Sequence, residues 1–208
     1  MKILSADFVT SATGTEDGIP RDDLPHIALA GRSNVGKSTL INALARRKIA
    51  RTSAAPGKTR LVNFYRVEFE SVGRHALYLV DLPGYGYARG GANAAAELRA
   101  VAEAYLVERR APSADERRRA AFLLVDARHP QLESDRAAAE WLTELGIDTH
   151  IVATKIDKLT RSERARNLKT LGDTFGRAVL PVSAESGEGL DELWRTIVRI
   201  ARAADRDE

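Results

Sequence analysis

The chain contains no cysteine. Disulfides, iron–sulfur clusters, thiolate zinc sites and a cysteine nucleophile are all excluded by that absence. Histidine is scarce as well: His26, His75, His129 and His150 are scattered along the chain, which argues against a histidine-built metal centre. No apolar run approaches the roughly 20 residues that a bilayer-crossing helix needs, so no membrane partner is expected. The opening stretch places Lys2 and Asp7 around only a few apolar residues, too little for a secretory signal, and the expected location is the cytoplasm. Charge of one sign is lacking too. Lysine and arginine number 32 against 29 aspartates and glutamates, a net +3 that does not by itself mark a nucleic-acid binder.

What is present is ordinary globular composition, 44% hydrophobic and 29% charged over 208 residues, enough for one domain with a real core. There is no internal repeat and no low-complexity linker. Short apolar runs rich in β-branched and aromatic residues alternate with segments of helical period, the pattern of an α/β sheet with crossover helices. Strands are expected over 26–30, 61–70, 76–80, 121–125, 150–153 and 178–182. Helices are expected over 38–47, with Leu40, Ile41 and Leu44 inward, and over 94–110, with Leu98, Val101 and Tyr105 together. A third, over 132–145, carries Ala138, Trp141, Leu142 and Leu145 on one stripe and stops before Gly146. Thr160 and Glu163 form a capping-box pattern ahead of a helix bearing Leu168, Leu171 and Phe175. The last helix turns Leu190, Leu193, Trp194 and Ile197 inward. Residues 1–24 read as an N-terminal extension with a candidate edge strand over 7–11, and 25–205 as the main domain. The charged stretch 111–120 reads as a solvated loop.

Chemistry concentrates at the ends of the strands. Gly31, Arg32, Ser33, Asn34, Val35, Gly36, Lys37 and Ser38, with Thr39 following, fit G-x-x-x-x-G-K-[ST] after a strand and at the opening of a helix. Such a loop turns backbone N–H groups inward around phosphates, and the helix N-terminus adds partial positive charge. Lys37 would reach the β and γ phosphates, and the Ser38 hydroxyl a magnesium ion. Asp81, Leu82, Pro83 and Gly84 follow the apolar strand 77–80: the aspartate can hold a magnesium-bound water, and Gly84 can present its N–H to a γ-phosphate. Thr154, Lys155, Ile156 and Asp157 end a later strand. A carboxylate there can accept from both N1–H and the 2-amino group of guanine, which adenine lacks, so Asp157 would select GTP over ATP. Lys155 would lie along the base, and Thr154 stands where such motifs more often carry asparagine. Val182 ends the next strand, and Ser183 and Ala184 follow it, where a backbone N–H can meet the guanine oxygen. The four groups fall in order at carboxyl ends of strands, where open α/β sheets bind ligands. Together they point to a guanine-nucleotide site.

From about residue 5 to 200 the sequence resembles the EngB-type ribosome-biogenesis GTP-binding proteins of the TrmE-Era-like, translation-factor-related class. The resemblance is carried by GRSNVGKST from Gly31, ARTSAAPGKT from Ala50, DLPGYGYA from Asp81 and DARHP from Asp126, and the DLPGYGYA string is its most distinctive part. It implies an α/β, three-layer P-loop GTPase domain with a mostly parallel sheet of six to seven strands flanked by helices, binding of GTP and GDP, a role in assembly of the large ribosomal subunit and a link to division septation. The expected protein is a monomer. The residues alone leave Thr52, Ser53 and Thr59 open as the first-switch hydroxyl. The resemblance selects Thr59, with Pro56, Gly57 and Lys58 around it, and makes Ser38, Thr59 and Asp81 the magnesium set. It also gives Asn34 a share in holding a potassium ion beside the catalytic group of Lys37, Thr59 and Gly84. Lys58 and Arg60 stand where similar proteins commonly have arginine and glutamine.

Tyr85 occupies the place of the glutamine that orients the attacking water in signalling GTPases, and a phenol cannot replace that amide. Slow intrinsic hydrolysis is expected. Arginine and lysine clusters at 46–51, 109–119 and 161–169 are candidate ribosomal RNA contacts, and Arg128, His129 and Pro130 form either a partner-facing loop or a locked turn. Three competing functions share parts of the pattern. They are a nucleotide-gated binding module in which hydrolysis is incidental, a GTPase serving tRNA modification or metal transport, and a P-loop ATPase. The second usually brings further domains, and Asp157 argues against the third.

Overall fold

The computed structural model describes residues 1–13, 18–22, 24–51, 61–85, 91–108 and 119–205. Among these residues seven strands form one sheet: β1 (Lys2–Ala12), β2 (His26–Gly31), β3 (Val62–Ser71), β4 (Gly73–Asp81), β5 (Arg119–Asp126), β6 (Asp148–Thr154) and β7 (Val179–Pro181). Their spatial order is β1-β3-β4-β2-β5-β6-β7. β3 runs antiparallel to both neighbours and every other pairing is parallel, so the sheet is mostly parallel as expected. The helices are α1 (Lys37–Ala45), α2 (Gly91–Glu108), α3 (Glu133–Glu144), α4 (Arg161–Phe175) and α5 (Leu190–Asp205). Among the described residues no helix is long and apolar enough to cross a membrane.

Period-two alternation in the central strands feeds two separate cores. Ile27 and Leu29 of β2, with Phe122 and Leu124 of β5, pack under α1 and α5 against Leu40, Ile41, Leu44, Leu193, Trp194 and Ile197. Ala28 and Ala30, with Ala121, Leu123 and Val125, face the opposite way toward Tyr105 of α2, Trp141 and Leu142 of α3, and Leu171 of α4. Every residue of β2 is buried. A central parallel strand covered on both faces has no polar side to show, which is why its sequence reads as a continuous apolar run. His26 is enclosed there, its Nδ1 3.0 Å from the Tyr105 hydroxyl and its ring edge-on to Phe64 and Tyr78.

The helix limits agree with the sequence pattern to within a few residues. At Thr160 the capping box is complete, because the hydroxyl accepts the Glu163 N–H while the Glu163 carboxylate accepts the Thr160 N–H at 2.9 Å. Two expectations need correction. β1 begins at Lys2, well before the expected 7–11, because register irregularities between Ile3 and Ser5 and between Phe8 and Thr10 interrupt the alternation that would have revealed it. Arg119 and Ala120, assigned to a loop with 111–118, open β5 by pairing with His26 and Ile27, so the charged run ends inside a strand.

At the start of α5, Gly189 has φ 78, and a Cβ there would overlap the Pro181 carbonyl oxygen at the end of β7. The close approach fixes α5 against the loop that follows β7. Gly189→Ala is expected to destabilise the fold by about 2 kcal/mol or more, through a left-handed backbone and a backbone clash together. Urea unfolding measures it, and a loss under about 0.5 kcal/mol would show that the helix start can shift freely.

Candidate functional site

β2 enters the phosphate loop at Gly31, and α1 leaves it at Lys37, so the loop lies across the carboxyl ends of the parallel strands. Its curvature is set by Asn34 at φ 65 and Gly36 at φ 112. The Lys37 ammonium turns back onto the loop and donates to the Gly31 carbonyl at 2.9 Å and the Arg32 carbonyl at 3.3 Å. Burial pulls its pKa below the ordinary value, and the Asp81 charge opposes that shift.

Asp81 ends β4 beside the loop, and the Ser38 hydroxyl donates to its Oδ2 at 3.5 Å. Burial pushes its pKa up to about 6 against the pull of Lys37 and Ser38. Its other carboxylate oxygen, Oδ1, is buried with no hydrogen-bond partner among the described residues. A buried carboxylate oxygen in that condition costs free energy unless something cationic or a donor meets it. The hydroxyl of Ser38 and the carboxylate of Asp81 are the hard oxygen donors that magnesium takes, directly or through water. The donor set therefore fits that ion. Gly84 lies against the loop so closely that a Cβ would sit 3.0 Å from Lys37 Nζ, Ser33 N and Ser33 Oγ.

On the other flank a cleft of about 150 Å³ is lined by Val35, Gly36, Thr39, Leu40, Thr154, Lys155, Asp157, Lys158, Val182, Ala184 and Glu185. The structure thus brings the glycine-rich loop together with both later motifs. Asp157 accepts from the Ser183 hydroxyl at 2.7 Å, and this bond, with Lys158 nearby, holds its pKa below the ordinary carboxylate value. An ionised carboxylate is fixed at the cleft wall as a pure acceptor. Ile156 is core-buried and serves as a spacer.

Two residues make hydrogen bonds within the protein that their motifs do not announce. Thr154 lines the cleft, but its hydroxyl lies 2.8 Å from the Val35 carbonyl and 3.1 Å from the Val125 carbonyl, so its one hydrogen braces the phosphate loop to β5. Ser183 donates its N–H to Glu188 at 2.9 Å and spends its hydroxyl on Asp157, leaving Ala184 as the member of that pair that faces the cleft. Lys155 reaches across the site at φ 61, donating to the Asn34 carbonyl at 2.7 Å and to Asp126 Oδ2 at 2.9 Å. Pro56, Gly57, Lys58 and Thr59 lie outside the described residues, as do the last three residues of DLPGYGYA.

Sequence reasoning missed Asn42 and Asp135. The Asn42 side chain accepts from the Ile49 and Ala50 N–H groups at 2.8 Å each and donates to the Ala50 carbonyl at 2.9 Å, closing the turn after α1. Asp135 is buried in the first turn of α3 and accepts the Tyr85 hydroxyl hydrogen at 3.1 Å. A signal was available: Asp135 falls in line with the buried stripe of Ala138 and Leu142, where a carboxylate is out of place unless it has a partner. Burial pushes its pKa up to about 6, against the Tyr85 hydrogen bond and the Arg32 charge.

Residues 26–155 match the family described as "50S ribosome-binding GTPase", more than half of the chain. A probable GTP-binding protein EngB of Pelotomaculum thermopropionicum is 44% identical over 205 residues, 96% of each chain. Another from Solibacter usitatus is 44% identical over 204 residues, covering 98% of this chain and 100% of its own. This chain belongs to the EngB family of GTP-binding proteins. Its activity is therefore that of a P-loop GTPase. A crystal structure of a probable EngB superposes with TM-score 0.65 at 25% identity over 86% of this chain and 99% of its own, in agreement with the three-layer fold.

Asp126 ends β5, ahead of α3, and is bonded to Lys155 of the loop after β6. Burial alone would raise its pKa, but Arg128, whose Nε and guanidinium nitrogen donate at 2.9 and 2.7 Å, and Lys155 together hold it well below the ordinary range. The Arg128 turn is thus locked from within. A carboxylate with a depressed folded-state pKa stabilises the fold above its unfolded value, near 3.9, and loses that contribution as pH falls toward the folded value. Arg128→Ala is expected to lower stability to urea near pH 7, where the contribution is full, and to move the acid-unfolding midpoint to higher pH, both read by circular dichroism. An unmoved midpoint would mean that Lys155 alone holds the carboxylate.

Proposed function

We propose that this GTPase acts in assembly of the large ribosomal subunit, hydrolysing GTP slowly unless a partner assists. The observation carrying this reading is the match over residues 26–155 to a family described by its binding to the 50S ribosome, joined to near-full-length identity with EngB proteins. In this reading the phosphate loop from Gly31 to Thr39 cradles the β and γ phosphates through its N–H groups and Lys37, and Gly84 meets the γ-phosphate. Ser38, Asp81 and Thr59 hold magnesium, which neutralises charge on the β and γ oxygens when bound. Asp157 accepts from the guanine N1–H and amino group, and Ala184 faces the base.

The phenol of Tyr85 points to Asp135 on α3, and it is the main-chain carbonyl that lies on the phosphate loop. This supports slow intrinsic turnover with no side chain at this position to orient water. Location in the cytoplasm and a monomeric state follow from the same reading.

Co-sedimentation with isolated ribosomal subunits under a GTP analogue, GDP and no nucleotide tests the assembly role. Binding to the large subunit that depends on the triphosphate is expected. Equal recovery in all three conditions, or no binding, would leave a GTPase without this task. Turnover stimulated by large subunits favours an enzyme over a nucleotide-gated module.

Asn34 stands exposed at the bend of the loop, and we assign it a share in holding a potassium ion that offsets transition-state charge. Hydrolysis is expected to be at least several-fold faster in potassium than in sodium at equal ionic strength. Equal rates would remove Asn34 from that role.

A further inference from the structure

The segment after Gly84 is clamped at both ends of one residue. Tyr85 accepts the Ser33 N–H on its main-chain carbonyl at 3.1 Å and bridges Arg32 of the phosphate loop, while its hydroxyl donates to Asp135 Oδ1 at 3.1 Å on α3. Gly84, one residue earlier, is packed to within a methyl group's reach of Lys37 Nζ and Ser33. Any movement of Gly84 away from the loop must drag Tyr85, and Tyr85 is tied to a helix.

We propose that Asp135 is a positioning residue that, through Tyr85, holds this segment across the phosphate loop and so sets the preference for guanosine diphosphate over triphosphate. This rests on the reading of Ser33, Lys37 and Gly84 as neighbours of the γ-phosphate. The carbonyl of Tyr85 takes the Ser33 N–H that a third phosphate would need, and Gly84 crowds the ammonium that would meet it. A diphosphate calls on Lys37 through its β-phosphate but leaves the Tyr85 carbonyl on the Ser33 N–H and Gly84 in place. A triphosphate competes with the Tyr85 carbonyl and must shift Gly84, and the cost of that shift includes loosening a hydrogen bond to a buried carboxylate. Such bonds are among the stronger ones in proteins. Ligands that differ only in the third phosphate thereby bind two positions of one segment with different affinity, the condition for a population shift. The Asp135 carboxylate touches neither nucleotide in this scheme and acts only through the phenol.

The test is the ratio of dissociation constants for GDP and a non-hydrolysable GTP analogue, with magnesium, in the full chain. Tyr85→Phe keeps the ring and loses the hydroxyl, and Asp135→Ala removes the acceptor. Each is expected to shift the ratio about fivefold to tenfold toward the triphosphate, within the usual range of coupling between sites. Asp135→Asn retains an acceptor oxygen and should stay within about twofold of the parent, and the double variant Tyr85→Phe with Asp135→Ala should shift no further than either single change. If Asp135→Ala fails to fold, Tyr85→Phe decides alone, with its melting temperature as control. An unchanged ratio in Tyr85→Phe with normal GDP binding, or a shift toward GDP, overturns the proposal. Failure of the parent to lose nucleotide on Lys37→Ala would instead sink the reading of the phosphate loop on which it rests.

Discussion

The phosphate loop is held in shape by residues far from it in sequence, and the rest of the site depends on that grip. From the β6 side, the Thr154 hydroxyl donates to Val35 and the Lys155 ammonium to Asn34. From the β4 side, the Tyr85 carbonyl receives the Ser33 N–H. A loop of inward-facing N–H groups is an anion site only if its curvature survives without the anion, because ordering it at the moment of binding would cost backbone entropy. The parallel order of β4, β2, β5 and β6 makes the grip geometrically available, since it places four loop-bearing strand ends along one edge.

Much of this was legible in the sequence, for a physical reason. A motif that needs a strand before it and a helix after it leaves an apolar run, glycines and a helical stripe in a fixed order, so the fold and the phosphate loop announce each other. The same holds for Asp81 and Asp157, each directly behind or just beyond a buried strand. Their partners were not legible. Nothing in T-K-I-D says that the threonine hydroxyl will find a carbonyl of another loop, because that contact joins residues 119 positions apart. Ser183 is similar: whether a serine offers its amide or its hydroxyl is decided by how the following turn closes, here on Glu188. β1 was half hidden because two register irregularities break the period on which strand reading relies.

Asp135 is the instructive miss. In isolation an acidic residue in the first turn of a helix is explained well enough by the helix dipole, and that explanation ends the search. Its place on the buried stripe of α3 demands more, since the dipole does not compensate a carboxylate for lost solvation to that degree. The structure supplies the missing partner in Tyr85, the residue whose identity already set this family apart from glutamine-bearing GTPases.

The connection between β5 and α3 then takes on meaning beyond a crossover. At one end Asp126 is bound by Arg128 and by Lys155 of the loop after β6; at the other Asp135 holds Tyr85 of the loop after β4. Two carboxylates on one short segment thus touch the loops on both flanks of the phosphate loop, and the charge of Asp126 acts on Asp135 in the direction that raises its pKa. The Asn167 amide of α4 adds to the hold at the Asp126 end by donating to the Ala127 carbonyl at 2.9 Å. A segment held at both ends by hydrogen-bonded carboxylates joins the loops of Lys155 and Tyr85 through packed structure, so a strain placed on one of these loops has a contiguous physical route toward the other.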